Sequence, residues 1–172
     1  ARTLGGETFV QNNYSWVNSG DMYFTVREPL GVIVCVVPFN FPVELYFQKV
    51  IPALLMGNAV IVKPSSDTPI VDIMVTEWLL EAGVPGNVLQ IVTGSGSKIG
   101  RWLSESPKID GYSLTGSTPV GIASAKACAN NLTHVELELG GNDACIALDD
   151  CDIDDAVNEA VAGRNYNSGQ VC

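Results

Sequence analysis

From Gly31 onward the chain alternates between short, continuously apolar runs and longer segments whose apolar residues recur with helical spacing. GVIVCVV (31–37) is unbroken and β-branched, the pattern of a strand covered on both faces. AVIV (59–62), VLQIV (88–92), YSLT (112–115), VELEL (135–139) and ACIAL (144–148) read the same way. Between them Pro69 to Ala82 predicts a helix with Val71, Met74, Val75, Trp78, Leu79 and Ala82 on one stripe, opened by Pro69 and stopped by Gly83. A second helix is expected from Ile153 to about Arg164, with Asp152 as its cap and Asp154 and Asp155 in the positive first turn. Ile153, Ala156, Val157, Ala160 and Val161 form its apolar face. Strands alternating with helices of this length imply a right-handed, mainly parallel, doubly wound sheet. The expected fold class is α/β and Rossmann-like.

The first thirty residues follow another rule. YSWV (14–17) and MYFTV (22–26) flank NSGD, which predicts a β-hairpin. Tyr14 and Trp16, with Met22, Phe24 and Val26, leave apolar groups on a two-stranded ribbon that needs a partner surface. Packing on its own domain and docking on another subunit both satisfy that need.

Composition narrows the function. Nine basic and nineteen acidic side chains give a net charge of −10. Such a surface repels phosphate backbones and anionic lipid, so neither nucleic acid nor a membrane is an expected partner. The longest apolar stretch, Gly31 to Phe39, is too short to span a bilayer, and ARTLGGET has no signal-peptide architecture. The expected location is cytoplasmic. The cysteines at 35, 128, 145, 151 and 172 form no C-x-x-C pair, which points to free thiols in a reducing compartment. With a single histidine, His134, no zinc site and no Ser-His-Asp hydrolase is expected, and His134 reads as structural.

Two glycine turns follow strands. GSGSKIG (94–100) opens a helix, but its spacing is one residue longer than the dinucleotide fingerprint. GSTPVG (116–121) is compatible with helix capping and with phosphate binding, and the sequence does not separate the two. Four further motifs end strands or close the chain: PFNFP (38–42) with Asn40, VIVKPS (60–65) with Lys63, ELGG (138–141) with Glu138, and NSGQVC (167–172) with Cys172. In doubly wound sheets the strand C-termini form the ligand crevice, where these elements would converge.

Taken together, in this order and spacing, the motifs closely resemble the aldehyde dehydrogenase superfamily from about Arg27 to Cys172. Glu138 and Cys172 stand 34 residues apart, as that family's base and nucleophile do. The resemblance implies a Cys172 thiolate as nucleophile, Asn40 as oxyanion donor beside the Cys172 backbone N–H, and Glu138 as the base that activates water. It implies that Lys63 holds the adenosine ribose, that Gly116 and Ser117 contact the pyrophosphate, and that Phe39 and Leu139 line the dinucleotide path. Phe39 stands where the family more often has Trp, and Asn142 where a lysine is frequent. The implied reaction is oxidation of an aldehyde to a carboxylic acid with hydride transfer to NADP or NAD. Ser66 occupies the position where NAD-strict members often carry glutamate, so NADP is expected to be accepted alongside NAD. A CoA-acylating dehydrogenase is the rival within the family, but a thiol acceptor needs no base such as Glu138. A non-catalytic nucleotide-binding module is the rival outside it.

The resemblance divides the chain into an N-terminal segment (1–30), a cofactor-binding domain (31–141) and the start of a catalytic domain (142–172). It places the hairpin where the family keeps its oligomerisation arm, so a homo-oligomer is expected. Family members continue past the nucleophile, so the chain reads as cut at Cys172 and inactive by itself.

Overall fold

The computed structural model describes residues 26–172 and, before them, the backbone of residues 8, 9, 23 and 24. Two short strands, β1 (Thr8–Phe9) and β2 (Tyr23–Phe24), pair antiparallel with Thr8 opposite Phe24. Residues 14–17, expected to pair with 22–26, lie outside the described residues, as does the NSGD turn.

The body of the chain is one parallel sheet in the order β5-β4-β3-β6-β7. Its strands are β3 (Val32–Val36), β4 (Ala59–Lys63), β5 (Leu89–Ile91), β6 (Gly111–Thr115) and β7 (His134–Glu138). Each forms where a β-branched or apolar run was legible. The chain builds outward from β3 through β4 to β5, then returns to add β6 and β7 on the other side of β3. That reversal creates the crevice of a doubly wound fold at the carboxyl ends of β3 and β6. Gly31, with φ +131, leads into β3, where the Val32 N–H donates to Asp110 Oδ2 at 2.8 Å.

Helices α1 (Pro42–Leu55) and α2 (Pro69–Glu81) cover one face. There Cys35, Val37, Val60, Val62 and Leu89 pack with Tyr46, Val50 and Val75. Helices α3 (Arg101–Ser104) and α4 (Thr118–Ala129) cover the other, over Val34, Tyr112, Leu114 and Cys128. Successive residues of β3 thus feed opposite cores, as a strand buried on both sides requires. Helix α5 (Ile153–Asn165) ends within a residue of expectation, and Asp152 caps it by accepting from the Asp154 and Asp155 amides at 2.9 and 3.1 Å. No helix among the described residues is long and apolar enough to cross a membrane.

Two expectations fail. Residues 144–148 form no strand, and Ile146 and Leu148 are exposed. A strand needs a neighbour to satisfy its backbone, and among the described residues β7 pairs only with β6. The α2 stripe is also rotated by one position. Asp72, Val75 and Thr76 face inward, while Met74 and Trp78 are exposed. Polar contacts fix this rotation. Tyr46 Oη and Thr76 Oγ1 share a hydrogen bond of 2.8 Å, and Thr76 Oγ1 donates back to the Asp72 carbonyl at 2.7 Å.

The rotation buries the Asp72 carboxyl completely, with neither oxygen hydrogen-bonded. Burial pushes it up from 3.8 to about 6. The folded state therefore binds this proton more tightly than the unfolded chain does. The resulting stability is fully present below the unfolded value of 3.8 and is lost as pH rises through about 6. Asp72→Asn is expected to remove that loss and raise stability at pH 8 by on the order of 2–3 kcal/mol. Urea unfolding of both proteins at pH 5 and pH 8 checks this, and an equal gain at both values would refute it.

Candidate active site

The crevice at the sheet's carboxyl edge is a cleft of about 510 Å³. Eight of the nine site residues expected from sequence line it: Phe39, Asn40, Lys63, Ser66, Gly116, Ser117, Leu139 and Cys172. They come from five separate segments of the chain, brought together because each follows a strand end or closes the chain. Glu138 is the exception. It is the last residue of β7, is exposed, and stands next to the lining rather than in it. Strand alternation turns it away from Leu139, which lines the cleft from the α4 side.

One end of the cleft is set by β4. Lys63 ends that strand, is buried, and donates from Nζ to the Pro64 carbonyl at 3.0 Å. Burial holds its ammonium below the ordinary lysine value. Its stem runs past Gly100, where an added Cβ would sit 3.7 Å from Lys63 Cε. Ser66 Oγ reaches the Gly94 carbonyl at 3.5 Å, a long contact, and Ser65 Oγ accepts from the Asp67 amide at 3.2 Å. Asp67 also lines this end, a carboxylate that the sequence reading did not single out. Of the GSGSKIG cluster only Gly96 reaches the cleft, and the segment winds into a π-helical turn ahead of α3.

The middle is set by the turn after β6. Gly116 donates to the Glu138 carbonyl at 3.0 Å, which closes β6 against β7. Ser117 precedes α4 in extended conformation, and its hydroxyl makes no capping hydrogen bond. The capping reading of GSTPVG therefore loses its main support. A helix N-terminus with an uncommitted hydroxyl faces the cleft, the arrangement that attracts an anion.

At the far end Asn40 meets the chain's last residues. Its Nδ2 donates to the Gln170 carbonyl at 2.8 Å, and Asn167 Nδ2 donates to the Asn40 carbonyl at 2.9 Å. Asn40 is thus held by contacts 130 and 127 residues away in sequence rather than by a local turn between Phe39 and Phe41. An amide nitrogen carries two protons, so one N–H remains for a ligand. The Gly141 amide donates to the Cys172 carbonyl at 2.7 Å, tying the segment after β7 to the candidate nucleophile. Asn167 (φ 48), Ser168 (φ 57) and Gly169 (φ 75) are consecutive left-handed residues just before it. Such strain persists only where surroundings enforce it, and here the Asn40 hydrogen bonds do so. Phe41 and Tyr166 stack at 6.0 Å beside them. Sequence reasoning missed Gln170, Asn167 and this aromatic pair. Only the proximity of Gln170 to Cys172 hinted at any of them.

Comparison with known proteins agrees with this geometry. The profile of the aldehyde dehydrogenase family matches residues 1–172. Phenylacetaldehyde dehydrogenase of Pseudomonas fluorescens is 42% identical over 148 residues, which cover 86% of this chain and 30% of that protein. The crystal structure of an aldehyde dehydrogenase from Bartonella henselae superposes with a TM-score of 0.81 at 40% identity, over 84% of this chain and 30% of its own. A mutant aldehyde dehydrogenase C from Pseudomonas syringae, in complex with NAD+ and octanal, gives 0.83 at 36% identity over 85% and 30%. The chain therefore belongs to the aldehyde dehydrogenase family. It spans about 30% of the length of each of these three relatives.

Leu139 owes its position to Gly121. A Cβ on that residue of α4 would fall 2.5 Å from Leu139 Cδ2. Gly121→Ala is therefore expected to push Leu139 into the cleft. A crystal structure of the variant should show the Leu139 side chain displaced toward the cleft, and Leu139 left in its parent position would show that the added methyl is accommodated elsewhere.

Proposed function

We propose that the protein carrying this chain oxidises an aldehyde to a carboxylic acid, with NAD or NADP as hydride acceptor. The observation that supports this best is the convergence of Asn40, Leu139 and Cys172 with Lys63, Gly116 and Ser117 around one cleft. The cleft suits an extended dinucleotide. It is within the volume range of cofactor sites, largely apolar in its lining, with Lys63 at one end and the α4 N-terminus midway. Ser66 offers a hydroxyl and Asp67 a carboxylate beside Lys63, so both NAD and NADP fall within this reading. Bound there, the cofactor would supply the hydride acceptor.

The chain's own residues account for the remaining chemistry. Cys172, exposed to the cleft, adds its thiolate to the aldehyde carbonyl. The free N–H of the Asn40 amide, with the Cys172 backbone N–H, stabilises the oxyanion, a contribution of about 3–4 kcal/mol for one such donor. After oxidation a thioester remains on Cys172. Glu138 then takes a proton from water, which attacks the thioester and releases the acid. This base favours hydrolysis over acyl transfer to CoA. Self-association through residues 14–26 belongs to the same reading.

Cys172→Ser in the whole enzyme is expected to reduce turnover by at least about a thousandfold while NAD+ still binds. Aldehyde-dependent NADH formation and a parallel NAD+ titration test it, and activity within tenfold of the parent would remove Cys172 from the mechanism. Glu138→Gln should leave a pre-steady-state burst of NADH followed by slow turnover. A burst slowed to the same degree as turnover would count against Glu138 as the deacylation base.

A further inference from the structure

Asn40, Asn167 and Gln170 close a ring of hydrogen bonds next to Cys172. Asn167 Nδ2 donates to the Asn40 carbonyl at 2.9 Å, and Asn40 Nδ2 donates to the Gln170 carbonyl at 2.8 Å. The Gln170 amide donates to the Asn167 carbonyl at 3.1 Å and completes the ring. Gln170 Nε2 reaches the same Asn167 carbonyl at 3.3 Å. The ring joins the loop between β3 and α1 to the turn that presents Cys172, and Asn167 is the corner that holds the Asn40 backbone. The residues beside this corner repeat the contact: Phe41 follows Asn40, Tyr166 precedes Asn167, and their rings stack at 6.0 Å. Two features suit Asn167 to its place. Its backbone is left-handed, φ 48 and ψ 41, a region that asparagine enters more readily than most residues bearing a side chain. Its amide nitrogen meets a carbonyl oxygen, where the acceptor-only carboxylate of an aspartate would set oxygen against oxygen.

An oxyanion donor is useful only where its N–H is aimed. With one Asn40 N–H on the Gln170 carbonyl, the planar amide can still turn about that hydrogen bond and swing its second N–H away. Fixing the Asn40 carbonyl removes this freedom, because the side chain then hangs from a held backbone at one end and from Gln170 at the other. We propose that Asn167 is a positioning residue: by holding the Asn40 carbonyl it aims the second Asn40 N–H at the oxyanion that forms when Cys172 adds to the aldehyde. This rests on the reading of Asn40 as the oxyanion donor. Asn167 touches no reacting atom and acts through Asn40. Its hydrogen bond is solvent-exposed, so it contributes direction more than stability.

The test uses the whole enzyme and the variants Asn167→Gly, Asn40→Ala and the two combined. Glycine accepts the left-handed turn and removes only the amide. Single-turnover NADH formation, with enzyme in excess over aldehyde, is expected to slow about tenfold in Asn167→Gly. Alkylation of Cys172 by iodoacetamide, followed by peptide mass, develops no oxyanion and should keep its parent rate. NAD+ affinity should also be unchanged. In the Asn40→Ala background the Asn167 substitution should cost nothing further, because the group it aims is gone. A single-turnover rate of Asn167→Gly within twofold of the parent overturns the proposal. So does an alkylation rate that falls as far as the single-turnover rate, or an equal loss in both backgrounds, since each marks a merely structural role. If Asn40→Ala by itself oxidises aldehyde at the parent rate, the reading of Asn40 fails instead, so the two failures are told apart by which variant keeps its rate.

Discussion

Where β3 pairs with β6, two connections that run in opposite directions along the sheet part company, and everything in the candidate site is hung from that point. Val34 pairs with Tyr112, Cys35 with Ser113 and Val36 with Leu114. Beyond the last of these pairs the two chains must separate, one into PFNFP and the other into GSTPVG. The gap between them is the cleft. Because both strands are covered on both faces, their ends are among the most rigid places in the molecule. Side chains mounted one or two residues past them inherit that rigidity, which a site requiring accurate placement needs.

The segment ending in Cys172 has no such support of its own. Among the described residues, α5 has none that is buried, and its apolar residues Ile153, Val157 and Val161 are exposed. What positions the last residues is a small set of polar contacts: Asn40 to Gln170, Asn167 to Asn40, and Gly141 to Cys172. All three involve a residue proposed for the chemistry, Asn40 or Cys172. The same hydrogen bonds that build the site therefore also join the parallel sheet to the segment that follows it. Removing the Asn40 side chain would release one of these ties as well as a candidate oxyanion donor.

The strands and the α5 cap were legible because they rest on local rules. A buried parallel strand needs an unbroken apolar run, and an aspartate before a helix accepts its first free amides wherever the helix lies. The α2 face was misread by one position because the deciding groups are polar. Periodicity assigns Asp72 and Thr76 to solvent, whereas the hydroxyl of Tyr46, from a different helix, draws Thr76 inward. Residues 144–148 failed for the opposite reason. The run is apolar enough for a strand, but strand formation depends on a neighbour that no local pattern encodes. At the site, motif spacing located eight lining residues, yet outside the lining it gave no sign that Lys49, buried in α1, donates to Ser113 Oγ and that Ser113 donates to Glu136. Those contacts exist only through register across the sheet and a helix packed above it.

An acidic chain proposed to accept a dinucleotide raises a question of sign. The net charge of −10 works against any polyanion at long range. A pyrophosphate inside the cleft responds to something closer. Salt screens exposed charges beyond about 8–10 Å, so most of the nineteen acidic side chains contribute little there. Among the described residues of the lining, Lys63 is the one cation and Asp67 the one acid. Lys63 ends β4 and Asp67 follows four residues later, so the charged side chains of the lining sum to zero. The attraction available at the middle of the cleft is then the dipole of α4, its free first-turn amides and the Ser117 hydroxyl. These act over a single turn of helix and do not reach a nucleic acid backbone held outside. Global charge thus disfavours large polyanions, while local dipoles favour one small anion at one place.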